Sequence, residues 1–238
     1  MLSDFSSWLV WMLPLISSLF TPLIGRFSGK ARNYFVVITS VVTAALAFSL
    51  IPDVYFGSNG PLLSSAVWIS SGITAGVFID ALSVLFTVLI AFFGLIIAIY
   101  SLGYMKGEEG LTRYYFFLLL FIGSMIGLVV SDNFLQMFIF WEMVGLCSYS
   151  LISFWNKRPE SVHSGNKVFL MTRIGDISLL AAIGILFTQF GTFSFHGTIA
   201  AIGSAFTAGT LNTTAMVAVA FLVLGGAIAK SAQLPLHT

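Results

Sequence analysis

The sequence predicts an all-α, polytopic transmembrane helix bundle of about seven spans, with a broken helix near the C-terminus and a short external β-hairpin. Three observations predict it. First, 58% of the 238 residues are hydrophobic and 8% are charged, with a mean hydropathy of +1.01, which leaves too little polar surface for a water-soluble globule. Second, the apolar residues gather into runs of about 20, the length a helix needs to cross the hydrocarbon layer. These runs are 6–24, 34–51, 81–104, 113–131, 134–155, 167–187 and 214–234. Third, the basic residues between the runs alternate. Arg26, Lys30 and Arg32 lie in the first connection, Lys106 and Arg113 in the third, and Lys157, Arg158 and Lys167 in the fifth; the second, fourth and sixth have none.

An excess of Lys and Arg marks the cytoplasmic side, so strict alternation fits an odd number of crossings with the N-terminus outside. Aromatics at the expected interfaces agree: Trp8 and Trp11 outside, Tyr34, Tyr104, Tyr114 and Trp155 inside. No basic segment precedes the first apolar run, so that run is expected to persist as a helix and not be cleaved as a leader. In the long connection 52–80, VWIS and ITAGVFI flank Ser71-Gly72 and predict the external hairpin. The Gly-, Ser- and Thr-rich stretch 188–213 suits an external loop with one short surface helix. Residues 1–238 read as a single transmembrane domain in a bacterial or archaeal cell membrane, with an organelle inner membrane as the alternative.

Four ionisable residues fall inside the spans, where each costs roughly 2.5–3.5 kcal/mol at a helix centre unless it finds a partner or water. Glu142 lies about 14 Å along the fifth span, near the midplane. Arg173 and Asp176 stand at i and i+3 on the sixth, on one face, able to pair with each other or to reach across. Lys230 follows Gly225-Gly226 and precedes Pro235, which disfavours helix at Leu234 and predicts the break. Lys167 starts the sixth span. Their charges sum to zero over Glu142, Arg173, Asp176 and Lys230, so a proton can move by exchange of partners without leaving an isolated buried charge. Together with Lys167 they form a candidate proton relay. The alternatives are a structural ion pair for Arg173 and Asp176, and snorkelling for Lys167.

Other chemistries find no support. The sequence holds one cysteine, Cys147, in an apolar run, and no CxxC, phosphate-binding glycine loop or nucleophile elbow. His163 and His196 fall in expected loops on opposite sides and cannot share a metal. A net charge of +1 gives no electrostatic footprint for nucleic acid.

Three segments carry a family resemblance: DNFLQMFIFWEMVGLCSYSLISFW at 132–155, KVFLMTRIGD at 167–176 and AKSAQLPLHT at 229–238. With IDALS at 79–83 and YSLGYMKGEEGLTRYYFFLLLF beyond it, they resemble the large antiporter-like subunit of respiratory complex I, subunit L in bacteria and subunit 5 in mitochondria. The resemblance implies proton translocation driven by distant quinone reduction. It implies no cofactor on this chain, with flavin, iron–sulfur clusters and quinone on partner subunits, and other membrane subunits as partners. By it, Glu142 matches the family's fifth-helix glutamate and Lys230 the lysine of the broken seventh helix, side by side around one polar axis, while Arg173 and Asp176 match the sixth-helix pair. Family members run to about twice this length or more, so the chain is expected to be the N-terminal portion, as a gene fragment or as one piece of a split subunit. A sodium/proton antiporter subunit with the same helices and no redox partner is the second reading, with sodium then in place of, or beside, protons. A non-functional remnant is the third.

Overall fold

A computed structural model describes residues 2–56, 61–70, 73–234 and 236–237. Among the described residues seven helices are long and apolar enough to cross a membrane: α1 (Leu2–Phe27), α2 (Gly29–Ile51), α3 (Ala81–Tyr104), α4 (Leu111–Val130), α5 (Phe134–Ile152), α6 (Pro159–Phe190) and α8 (Thr213–Lys230). The short α7 (Phe195–Thr207) is the helix expected within 188–213. Side-chain caps set most of the starts by satisfying free N–H groups of the first turn. Ser28, Asp80, Asn133, Ser194 and Asn212 each accept from the backbone N–H three residues on.

After α2 the chain makes a π-helical turn, Pro52–Phe56, and then forms β1 (Leu62–Ser70) and β2 (Ile73–Ile79). The strands pair antiparallel from Leu62 opposite Ile79 to Ser70 opposite Ile73, with an irregularity in register between Val67 and Ser70; the expected hairpin is present, but β1 begins five residues before VWIS. Ser71 and Gly72 lie outside the described residues, as does Pro235.

Contacts between connections sort the two ends of the bundle. At one end Arg32 donates to Thr112 Oγ1 (3.0 Å), Arg113 donates to the Phe154 carbonyl (2.7 Å), and Lys157 pairs with Glu109 (2.5 Å). The three basic connections therefore meet. At the other end Trp8 donates to Ser64 Oγ (3.1 Å), and Gln136 lies edge to edge with the Gly76 backbone, accepting at 2.8 Å and donating at 2.9 Å. The hairpin thus sits beside the start of α1 and the α4–α5 turn.

The larger buried apolar cluster lies mainly among the first four helices. Val10, Val36, Leu50, Val84, Leu119 and Ile126 join Val77 and Ile79 of β2 and Phe140 of α5 in one buried cluster. Trp11, expected as an interface aromatic, belongs to this cluster and meets Phe140 edge-on at 5.3 Å. An indole inside a helix bundle contributes more area as filler than at a boundary already occupied by Trp8.

Several boundaries differ from the apolar runs, among them both ends of α1 and the start of α2, five residues early at Gly29. Helix α6 begins at Pro159, not at Lys167, because proline suits the first helical position and PESVHSGNK continues the helix beyond the apolar part. His163 is consequently helical, and His196 opens α7. Helix α5 stops at Ile152, ahead of the expected 155. Helix α8 runs unbroken through Gly225-Gly226 and ends at Lys230, four residues before the end of its apolar run. Ser231 caps its end and Ala232 follows with φ at +50°, so among the described residues the helix ends there and no second helical piece follows it.

Candidate functional site

The glycines of α8 have another use than breaking it. A methyl group on Gly175 of α6 would collide with Ala229, and one on Gly225 would come within 2.7 Å of Ser178 Oγ. Small residues let helix backbones approach closely, the main means of association where lipid removes the hydrophobic drive. Ser178 completes the seam by donating to the Leu222 carbonyl of α8 at 2.7 Å. This approach carries Lys230, at the end of α8, to the level of Asp176.

The side chains then form one chain of alternating sign across three helices. Glu142 of α5 pairs with Arg173 of α6. Arg173 also lies 3.4 Å from Asp176 Oδ2, one helical turn along its own helix. Asp176 Oδ1 is 4.0 Å from the Lys230 ammonium. The order is Glu142, Arg173, Asp176, Lys230. Glu142 and Lys230, expected side by side, are joined through the pair between them. Asp176 is the most enclosed member, with its side chain 2% exposed against 22–28% for the other three.

Two residues that the sequence did not single out shape this chain. Trp141 donates from Nε1 to Asp176 Oδ1 at 2.6 Å, and its ring lies beneath the Lys230 ammonium at 5.2 Å from the centroid. Consecutive helical residues diverge by about 100°, so Trp141 and Glu142 reach different links from one backbone position. Gly145 leaves room for both cations: a methyl group there would lie 3.1 Å from Lys230 Nζ and 3.3 Å from Arg173. The signal that could have found both is the spacing in WEMVG (141–145), which puts Trp141 and Gly145 on one face at i and i+4. Phe169, one turn before Arg173, stacks on its guanidinium at 4.5 Å.

Lys167 is not drawn into the chain. It is exposed on α6, more than a turn from Arg173 toward the basic end. Cys147 is fully buried among apolar groups. His196 stacks edge-on against Phe78 at the hairpin end, at 4.9 Å, while His163 is exposed near the basic start of α6.

Fold and site together define a class: a multi-pass integral membrane protein whose last spans hold a buried, electroneutral chain of acids and bases. Residues 68–115 match the family model for the N-terminus of chain 5 of NADH-ubiquinone oxidoreductase (complex I), and residues 131–238 match the transmembrane model shared by NADH:quinone oxidoreductase and the Mrp antiporter. The chain belongs to this family of antiporter-like membrane subunits. It is 35% identical over 240 residues to NAD(P)H-quinone oxidoreductase subunit 5 of the Anthoceros angustus chloroplast, covering 97% of this chain and 33% of the relative. To NAD(P)H-quinone oxidoreductase chain 5 of Synechocystis it is 37% identical over 243 residues, covering 96% and 35%. The chain thus spans about a third of the length of these relatives. In fold it is similar to a chain of the Mrp complex from Dietzia, with a TM-score of 0.79, 24% identity, and coverage of 96% of this chain and 24% of that one. It is also similar to a chain of an archaeal membrane-bound sulfane sulfur reductase, with a TM-score of 0.82, 22% identity, and coverage of 93% and 44%.

Proposed function

We propose that this chain is the N-terminal part of a proton-translocating subunit in a complex I-type NADH:quinone oxidoreductase, and that Glu142, Arg173, Asp176 and Lys230 relay the proton. Lys167 stands on the route between the basic end and Arg173. Flavin, iron–sulfur clusters and quinone belong to partner subunits in this reading. The observation that carries it is the alternating order of the four charges, in which one cation already touches two carboxylates.

A proton taken up by Glu142 removes the charge that holds Arg173, which then turns wholly to Asp176. Asp176 in turn offers less to Lys230, whose ammonium is partly desolvated, and Lys230 surrenders its proton. Net charge in the membrane changes by no more than one unit at any step, so the cost of a buried lone charge is avoided.

The test uses the full assembly containing this segment, reconstituted in vesicles, with proton uptake and quinone reduction measured together. Glu142→Gln and Lys230→Met keep approximate size, remove the titrating group, and should lower both rates in parallel with assembly retained. If Glu142→Gln assembles fully and pumps at the parental rate, the relay assignment is wrong. Cation exchange by a complex that contains no redox subunit would instead favour the sodium/proton antiporter reading.

A further inference from the structure

A second charged feature lies away from the relay, at the basic end. The α3–α4 and α5–α6 connections line an open surface cleft of about 570 Å³ whose wall includes Glu108, Glu109, Arg113, Trp155, Lys157 and Arg158. Its level is fixed by the spans around it: α3 ends at Tyr104, α4 begins at Leu111, α5 ends at Ile152, and α6 becomes strongly apolar only after Lys167. That is the boundary between hydrocarbon and water. Trp155, stacked under the Arg158 guanidinium at 5.4 Å, is a side chain suited to that depth.

Both signs of charge are available there. Lys157 and Glu109 satisfy one another. Arg113 spends one N–H on the Phe154 carbonyl and stacks on the Phe154 ring, Arg158 stacks on Trp155, and neither these arginines nor Glu108 makes an ion pair among the described residues. The first turn of α4 adds backbone donors: Gly110 precedes it, provides no side-chain cap and lines the cleft, whereas α6 opens on Pro159, which has no N–H to offer. An uncapped helix N-terminus favours a phosphate, which the two guanidiniums also prefer. A purely anionic ligand would leave Glu108 facing like charge.

We propose that this cleft binds the headgroup of a zwitterionic aminophospholipid, with the phosphate on Arg113 and Arg158 and the primary ammonium on Glu108. A primary ammonium donates hydrogen bonds to a carboxylate, whereas a quaternary choline cannot. The site therefore selects phosphatidylethanolamine over phosphatidylcholine by charge-assisted hydrogen bonding and over phosphatidylglycerol by charge balance. It rests on neither the relay nor the direction of insertion.

The test reconstitutes the full assembly in nanodiscs holding equal phosphatidylethanolamine, phosphatidylcholine and phosphatidylglycerol, and measures retained lipid by native mass spectrometry after detergent extraction. The assembly should retain ethanolamine lipid over choline lipid by about threefold or more, the size of one net hydrogen bond. Glu108→Gln should level the two, and Arg158→Gln should lower retention of both. Both residues are exposed, so assembly should be unchanged by size-exclusion chromatography. Preferential retention of phosphatidylglycerol would overturn the proposal, as would retention indifferent to either variant. Binding of inorganic phosphate without lipid would reduce the cleft to an anion site.

Discussion

Helices α1 to α4 and helices α5, α6 and α8 solve the problem of packing in lipid in opposite ways. The first group buries a continuous aliphatic cluster, and half of α4's apolar span is enclosed. The second group has little to bury: Ala182, Leu186 and Val219 make its separate cluster, and 17% of α8's span is enclosed. What the second group has is charge. Where the hydrophobic effect no longer distinguishes protein from lipid, shape holds the first group, while glycine contacts and ion pairs position the second. The first is therefore sensitive to volume and the second to charge balance.

The largest effect should come from Arg173→Ala, which deprives both Glu142 and Asp176 of their shared cation. Removing one partner of a buried ion pair costs about 3–5 kcal/mol, felt here as lost assembly. Adding Glu142→Gln to Arg173→Ala should restore more assembly than adding Asp176→Asn, because Asp176 keeps Lys230 and Trp141 whereas Glu142 keeps neither. Equal restoration, scored by the yield of intact complex, would break the order of the charge chain.

Leu119→Ala addresses the other region. Leu119 is fully buried, and truncation should cost about 2 kcal/mol in thermal stability through the cavity it leaves. Pumping per assembled complex should be unaffected. A loss of pumping with normal stability would show that the two regions are not separable. Gly175→Ala should cost about 1 kcal/mol by pushing α8 away from α6. Its larger consequence is for Lys230, which moves away from Asp176, so turnover should fall more than melting temperature.

The sequence made the site residues legible for an energetic reason: a charge in an apolar run is too costly to be incidental, and Glu142, Arg173, Asp176 and Lys230 stood out on that ground alone. Seven spans were legible from run length, and the hairpin from the two short apolar segments that flank Ser71-Gly72. The pairing was not, because which carboxylate meets which cation depends on the rotation and depth of three helices, set by contacts such as Gly175 against Ala229 that carry no polar signal. Trp141 escaped notice because an indole in an apolar span resembles ordinary packing. The early start of α6 escaped because run length reports the membrane-embedded part of a helix and not its polar extension. Lys167, selected by charge and position, proved to lie on that extension's exposed side.

The smallest effect is expected at the hairpin end, where the two regions join. Asp132, in the α4–α5 turn, is 8% exposed and accepts from Asn133 Nδ2 at 2.5 Å, while Asn133 also donates to the Thr74 carbonyl of β2 at 3.0 Å. Its backbone carbonyl takes the Phe195 N–H at 3.2 Å, so hairpin, turn and α7 meet at this residue. Burial pushes the Asp132 carboxyl above its usual 3.8, against the opposing effects of the Asn133 hydrogen bond, a backbone hydrogen bond and the nearby His196. With the folded value above the unfolded one, the native state holds more protons between the two, and stability falls as pH rises through that window. Hydrogen exchange of the β2 amides should therefore quicken from about pH 4 upward by more than the intrinsic rate explains. Asp132→Asn keeps an acceptor for Asn133, removes the titration, and should flatten that excess. The same measurement in a His196→Gln background isolates the imidazole's share. If the excess persists in Asp132→Asn, the pH response of the junction arises elsewhere, and the hairpin is held by the Gln136 and Asn133 amides without help from the carboxyl.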